Sequence, residues 1–484
     1  MNANEKKKYI AVTIGPIFDT MSLVSTPAAL WISSYMFSCI TKTICELLLA
    51  DGLMEEDIIS PYFSKEDTAL IDKKDGVGLF HDRLIFVANN FDIKHFNQIK
   101  EKTLEKISEL FALDLEYLKA YVQIAAVKYE AENPIFGCDS ILNSRELEKP
   151  FVAKDNEQPL MKLLFAEKGA SNEWIKALAE KLGVYEKWQL TDDKGIKDLD
   201  SIVRTQKRSN LKKHSYYAII RSDGDNMSKI ISSLNTDEEL RSFSKTCLLY
   251  CSAVADEVAR FGGVTIYVGG DDLLAILPCE NKNGDTPFEF IKRANKIFDE
   301  KFKSYHKPTS LSFGISMCYK KFPLYEALED SAYLLFGVAK DKDHKNCSVI
   351  RLQKHSGQSE GLLIPNTALD ELLALKNIIV KSESSEDECI IISALHKLSL
   401  FEYLLNAADD NSKAIFTLFQ NIFDSSEQKT EFLHDKLPDF YHKLKTNMSI
   451  RALTDDGVQN NPVTAVSYVL RVLKFFNEKA GDRE

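Results

Sequence analysis

What this 484-residue chain lacks narrows its class. It has nine cysteines but no CxxC pair. Cys247 and Cys251 are four apart on an expected helix, and no second pair offers the spacing of a structural zinc site. Buried, reduced thiols are the expectation, with no zinc and no disulfide. No continuous apolar run is long enough to span a bilayer. The early lysines are followed by only a short apolar stretch, 9–14, too brief for a signal-peptide core. The expectation is a cytoplasmic protein with no membrane partner. Positive charge is scarce as well: 61 Lys and Arg stand against 72 Asp and Glu, a net charge of −11. A chain that grips nucleic acid unaided is usually basic. Partners would therefore supply much of any such grip. The one dense basic run, Arg204, Lys207, Arg208, Lys212 and Lys213, reads as a solvated linker.

What is present suits a globular protein. Apolar residues make up 44% and charged residues 27%, the usual balance. The length suits roughly three or four domains. Residues 1–133 open with a strand at 9–14, broken by Gly15-Pro16. Thr26 suits an N-cap and Pro27 the first helical position, and Asp51-Gly52 ends that helix. Ile58-Ile59 and 83–87 read as strands, 93–113 as a helix, and 121–127 as the strand that closes the sheet. This β-α-β-β-α-β order is that of a ferredoxin-like palm. Residues 134–210 are polar and irregular. They read as a mostly helical insert with pieces such as 172–181.

Residues 211–357 give sharper signals. A strand at 216–220 runs into Ser222-Asp223-Gly224-Asp225-Asn226. Thr236 with Glu239, and Thr286-Pro287 with Glu289, are capping boxes that start two helices. Gly262-Gly263 stops the first of them. A strand at 311–317, a helix at 323–340 and a strand at 348–352 complete a second palm. Residues 358–484 have helical periodicity throughout, interrupted by an acidic loop at 382–388. They read as a helical bundle for interaction. The expected fold is thus α+β: two ferredoxin-like palms, a helical insert and a C-terminal helical domain.

The most informative turn is Gly269-Gly270-Asp271-Asp272, between the apolar runs 264–268 and 273–277. Its glycines permit a tight hairpin and leave room for a nucleotide. Its paired carboxylates suit a hard divalent cation, as in polymerases and nucleotide cyclases. Gly and Asp are also ordinary hairpin residues, so the neighbours must decide. Asp223 ends the first strand of the same palm, and antiparallel packing would bring the three carboxylates together. Clustered acids repel one another unless cations neutralise them. Two Mg²⁺ or Mn²⁺ ions about 4 Å apart would activate a 3′-hydroxyl and neutralise a leaving pyrophosphate. The Gly224 carbonyl is a further candidate ligand. Asp225 is either another ligand or a brace of the turn. Lys340 and Lys345 either hold phosphates as point charges or, for Lys340, complement a helix C-terminus. Two HD dipeptides, His81-Asp82 and His434-Asp435, lack the further ligands of an HD phosphohydrolase.

A weak internal repeat links the palms. The strand ending Ile14-Gly15-Pro16-Ile17 matches the strand ending Arg221-Ser222-Asp223-Gly224 in pattern. The second copy carries carboxylates at its break and the first carries Gly-Pro. One palm reads as armed and the other as disarmed.

The segments Ile14-Gly15-Pro16-Ile17-Phe18-Asp19, Leu30-Trp31-Ile32-Ser33-Ser34-Tyr35, Asp223-Gly224-Asp225-Asn226-Met227, Gly269-Gly270-Asp271-Asp272 and Ala339-Lys340 occur in this order. Together they resemble the large subunit of type III-B CRISPR RNA-guided effector complexes, the Cmr branch of the Cas-ten family. The resemblance implies an antiviral palm enzyme that joins ATP into cyclic oligoadenylate second messengers when guide RNA pairs with target RNA. Other Cmr-type subunits would be its partners, contacted through the C-terminal bundle. It implies Asp223, Asp271 and Asp272 as catalytic, metal-binding carboxylates. Gly269, Gly270, Asn226, Lys340, Lys345 and Ser34 would face nucleotide in a pocket between the palms. Two departures are expected: no HD-type DNA nuclease, because the first palm starts near Met1, and no zinc in the insert, which has only Cys138. Relatives without the nuclease include some that couple ATP to S-adenosylmethionine, and that product stays open. So does a silent structural subunit.

Overall fold

The computed structural model describes residues 7–22, 26–67, 77–88, 91–147, 199–204, 215–380, 385–408, 411–423 and 431–476. Its first sheet holds β1 (Lys8–Gly15), β2 (Ile58–Ser60), β3 (Arg83–Val87) and β4 (Gln123–Glu130), in the order β2-β3-β1-β4 and antiparallel throughout. Helices Pro27–Ala50 and Ile93–Phe111 pack together on it. Thr26 accepts the Ala29 N–H and Pro27 starts the first of these helices. That helix is long and apolar enough by composition to cross a membrane, yet most of it lies inside the protein. Leu30, Trp31, Phe37, Ile40, Ile44 and Leu48 are among its buried side chains, so its apolarity serves the core. The last strand starts later than the sequence suggests. Asp114 caps a short helix, Leu115–Tyr121, by accepting the Tyr117 N–H, and this takes Tyr121 out of the sheet.

The second sheet repeats the order: β5 (Tyr216–Asp225), β6 (Val264–Gly269), β7 (Asp272–Pro278) and β8 (Ser310–Tyr319) lie as β8-β5-β7-β6. Both capping boxes form, at Thr236/Glu239 and Thr286/Glu289. They start helices Asp237–Phe261 and Pro287–Phe302, and Gly262 ends the first at φ +93. The stretch after β8 is an α-helix, Leu324–Ala332, that continues as a π-helix, Tyr333–Ala339. It returns the chain to β9 (Cys347–Gln353), parallel to β8.

The C-terminal part is not helical throughout, as its periodicity suggests. β10 (Ser359–Pro365), β11 (Arg451–Thr454) and β12 (Gly457–Gln459) extend the same sheet to eight strands. The cause is turn chemistry. Gly357 at φ +83 and Gly457 at φ +101 close the two hairpins, conformations that favour glycine. Helix Ser385–Leu400 also begins inside the stretch expected as an acidic loop. Of the expected insert, helices Pro134–Glu146 and Leu199–Arg204 are described, and the first packs on β1 and β4. The expected helical piece at 172–181 and the basic residues from Lys207 onward lie outside the described residues.

The palms pack reciprocally. Helix Pro27–Ala50 of the first lies on β6, the edge strand of the second, and helix Asp237–Phe261 of the second lies on β2, the edge strand of the first. Each edge is thereby covered. Polar groups fix the seam: Arg241 donates to the Glu55 and Phe63 carbonyls at 3.0 and 2.8 Å, and Lys245 pairs with Asp67 at 2.8 Å.

Candidate active site

β6 and β7 form the expected hairpin, with Gly269 opposite Asp272. Only Gly270 and Asp271 lie between them. Gly270 takes φ +66, and glycine at the first loop position suits a type II′ turn, whose twist matches the strands. The turn carries Asp271, and Asp272 opens β7.

β7 neighbours β5, and β5 runs on to Asp225, past the expected end at 220. Its last residues are zipped to β8, with Asp223 opposite Ser312 and Asp225 opposite Ser310. This adjacency delivers Asp223 and Gly224 to the turn. The Gly224 N–H donates to Asp271 Oδ2 at 3.2 Å. A Cβ on Gly224 would stand 2.5 Å from that same oxygen, so the strand end and the turn close up because the residue is glycine.

Asp225 takes the bracing role of its two alternatives. It is 1% exposed. Ser310 and Ser312 donate to its Oδ2 at 2.7 and 2.8 Å, and the Asn346 N–H at 2.9 Å. A buried carboxylate needs such donors, each worth about 1.5–3 kcal/mol. Lys340 ends the π-helix but reaches well beyond the helix terminus. Its Nζ lies 2.5 Å from Asp223 Oδ2 and 3.0 Å from Asp225 Oδ1, and donates to the Gly224 carbonyl at 2.6 Å. Burial opposes its charge, but Asp223 and Asp225 outweigh this and raise its pKa. Lys345 sits at the rim, its Nζ donating to Asn226 Oδ1 at 3.2 Å. Asn226 adopts φ +60 and donates to the Pro308 carbonyl at 3.3 Å. Ser34 is not part of this cluster's described bonding. It is buried on helix Pro27–Ala50, which covers β6.

The electrostatics are those of crowded acids. Burial pushes Asp271 up to about 7, Asp223 adds to the rise, and Lys340 opposes it. Burial, then Asp271, then Asp223 raise Asp272 well above the usual carboxylate range. Among the described residues no three or more His, Cys, Asp or Glu side chains stand in an arrangement that would by itself hold a metal ion. The open donor set nevertheless fits a hard divalent cation. Asp223, Asp271, Asp272 and the Gly224 carbonyl offer only oxygen, and their mutual repulsion is what added positive charge relieves.

Sequence reasoning missed several supports. Ser310 and Ser312 are two apart on a strand and so share a face, a legible signal. The Asn346 backbone N–H left none. Arg221, lowered to about 10 by burial against the pull of Asp272, donates to Ser331 Oγ at 3.2 Å. The first palm also reaches the hairpin. A Cβ on Gly269 would stand 2.6 Å from the Tyr267 hydroxyl and 3.2 Å from His81 Cβ. The two HD dipeptides are structural in their histidines: His81 Nδ1 accepts the Arg83 N–H at 3.3 Å, and a His434 ring nitrogen lies 2.8 Å from the Phe423 carbonyl.

Residues 216–349 match the family model "Cas10/Cmr2, second palm domain". The likeness to the Cas10/Cmr2 family rests on this palm. A CRISPR system Cmr subunit Cmr2 from Pyrococcus furiosus is 29% identical over 287 residues. That match takes in 54% of this chain and only 30% of the length of this curated relative. A likeness of fold extends over nearly the whole chain. A Csm1–Csm4 cassette in complex with cA4 aligns with TM-score 0.59 at 14% identity, over 98% of this chain and 70% of the other. A type III-B Cmr-beta complex bound to cognate target RNA aligns with TM-score 0.60 at 12% identity, over 98% and 83%. These two share the fold.

Proposed function

We propose that the chain is the nucleotidyltransferase subunit of a type III-B RNA-guided effector complex, joining ATP into cyclic oligoadenylates when guide RNA pairs with target RNA. The observation that carries the reading is the convergence of Asp223, Asp271 and Asp272 beside Lys340. Structural relatives held with cA4, cA3, pppApA and AMPPNP support it, as does one bound to target RNA.

Asp223, Asp271, Asp272 and the Gly224 carbonyl would hold the divalent cations. Such ions, when bound, lower the pKa of an attacking hydroxyl and neutralise phosphate charge. The chain's own residues do the positioning. Gly269 and Gly270 leave the turn without side-chain bulk, so a nucleotide can lie against its backbone. Asp225, pinned by two serines and a backbone N–H, fixes the strand end from which Asp223 projects. Lys345 and Asn226 line the rim where phosphates would enter, with Lys345 as a point charge. The net charge of −11 fits a subunit that relies on partner subunits to hold RNA.

The test is product analysis by mass spectrometry on the assembled complex with guide, matching RNA, Mg²⁺ and ATP, with and without S-adenosylmethionine. Cyclic oligoadenylates are expected. In the Asp271→Ala/Asp272→Ala double variant they should fall at least about 1000-fold, the scale of losing several kcal/mol of charge stabilisation. A product that requires S-adenosylmethionine would change the substrate class but keep the site. No nucleotide product under any condition would leave a structural subunit, and full activity of the double variant would move the site elsewhere.

A further inference from the structure

Lys340 stands out because its ammonium is fully used. An ammonium has three donors and no acceptor. Here three oxygens surround it: Asp223 Oδ2 at 2.5 Å, the Gly224 carbonyl at 2.6 Å and Asp225 Oδ1 at 3.0 Å. Two of these, Asp223 and the Gly224 carbonyl, belong to the donor set that suits a divalent cation. A small ion approaches such oxygens to about 2.0–2.1 Å. The ammonium and the ion cannot share both oxygens at contact distance, because like charges that close repel strongly.

The fold delivers this side chain deliberately. Helix Leu324–Ala332 and its π-helical extension sit tightly on β8 at Gly314, where a Cβ would stand 2.4 Å from both the Leu335 nitrogen and the Ser331 carbonyl. The π-helix ends at Lys340. Asp225 is already served by Ser310, Ser312 and the Asn346 N–H, so it keeps its donors if the ammonium departs. Asp223 and the Gly224 carbonyl would pass from ammonium to ion.

We propose that Lys340 is a built-in stand-in for the divalent cation: it occupies the cation's oxygens in the metal-free chain and leaves them when the ion is bound, its charge then turned toward phosphate. This rests on the reading that Asp223, Asp271 and Asp272 hold the ion. The design separates two tasks in time. Asp223 keeps a positive partner in either state, and a cation for the nucleotide becomes available only once the ion is in place.

The test uses the full chain without nucleotide and Mn²⁺ alone as the probe. Wild type is compared with Lys340→Met and with Asp271→Asn/Asp272→Asn by calorimetric titration and thermal melting. Lys340→Met should melt lower than wild type without metal and gain more from Mn²⁺. It should also bind Mn²⁺ about tenfold tighter, because a competing unit charge a few ångströms away is gone. In wild type, labelling of Lys340 by an amine-reactive reagent, read by peptide mass spectrometry, should rise severalfold with Mn²⁺. Mn²⁺ binding by both forms, tighter in Lys340→Met, together with the rise in wild-type labelling, would support the proposal. Unchanged or weaker Mn²⁺ binding by folded Lys340→Met would overturn it. Lys340 labelling indifferent to Mn²⁺ would also overturn it, and this readout decides the matter if the methionine variant does not fold. If the double carboxylate variant loses Mn²⁺ while Lys340→Met binds it no tighter than wild type, the site reading stands and the stand-in falls. If no form binds Mn²⁺, both fall.

Discussion

The two palms share one topology and differ at two strand ends. In the first, β1 ends in Gly15-Pro16, and the long segment 61–82 joins β2 to β3. In the second, β5 ends in Asp223-Gly224-Asp225, and a two-residue turn joins β6 to β7. Both sheets bury apolar strands against a pair of helices, and each lends its first long helix to the other's edge. The difference teaches that the palm supplies a frame, while chemistry is written in the few residues at its rim. His81-Asp82 immediately precede β3, much as Asp271 immediately precedes β7. Yet His81 is used to bond its own loop rather than to gather oxygen ligands.

The sharpest way to break the comparison is at the glycine beside each strand end. Gly224→Ala places a methyl 2.5 Å from Asp271 Oδ2. Nucleotide-product formation should fall at least about 100-fold, the scale set by a misplacement of about 1 Å. Gly15→Ala meets nothing nearer than 4.0 Å, and product formation should stay close to wild type. Equal losses in both variants, measured on the same assembled complex, would erase the distinction between an armed and a disarmed strand end.

A smaller effect is expected where the second palm seats its extra helix. Gly314→Ala forces the helix that bears Lys340 off β8. Denaturant unfolding should show a loss of about 1–3 kcal/mol, the usual cost of overpacking. The smallest effect concerns the first palm's own loop. Burial, with Arg83 adding, lowers His81 to about 4, whereas an unfolded histidine titrates near 6.5. The folded imidazole stays neutral while the unfolded one gains a proton. His81 therefore contributes stability above about pH 6.5 that is lost as pH falls toward 4, on the order of 1–3 kcal/mol. In His81→Asn the melting temperature should fall less steeply across that window.

Much of the frame was legible in the chain. Thr26-Pro27, Thr236 with Glu239 and Thr286-Pro287 with Glu289 start helices where capping chemistry says they should. Alternating apolar runs mark β1, β3, β6 and β7. The candidate carboxylates were legible because acids at strand ends are costly without a purpose. Three things were not. β10 to β12 are short, and their Gly357 and Gly457 turns interrupt a stretch that otherwise reads as helix. The role of Asp225 depended on which groups from β8 and from residue 346 would meet it, a long-range fact. Lys340 was legible as a cation near the sheet, but a π-helix shifts side-chain direction in a way that a 3.6-residue period does not anticipate.

The eight-stranded sheet carries one further consequence. β9 is bonded on one side to β8 and on the other to β10, and β10 in turn to β11. A fragment stopped at residue 357 would leave β9 with a bare row of amides and carbonyls, a template for association with other chains. The acid-bearing palm is therefore not a detachable cassette. Its outer wall begins with β10, just past that cut, and is completed by β11, almost a hundred residues further on.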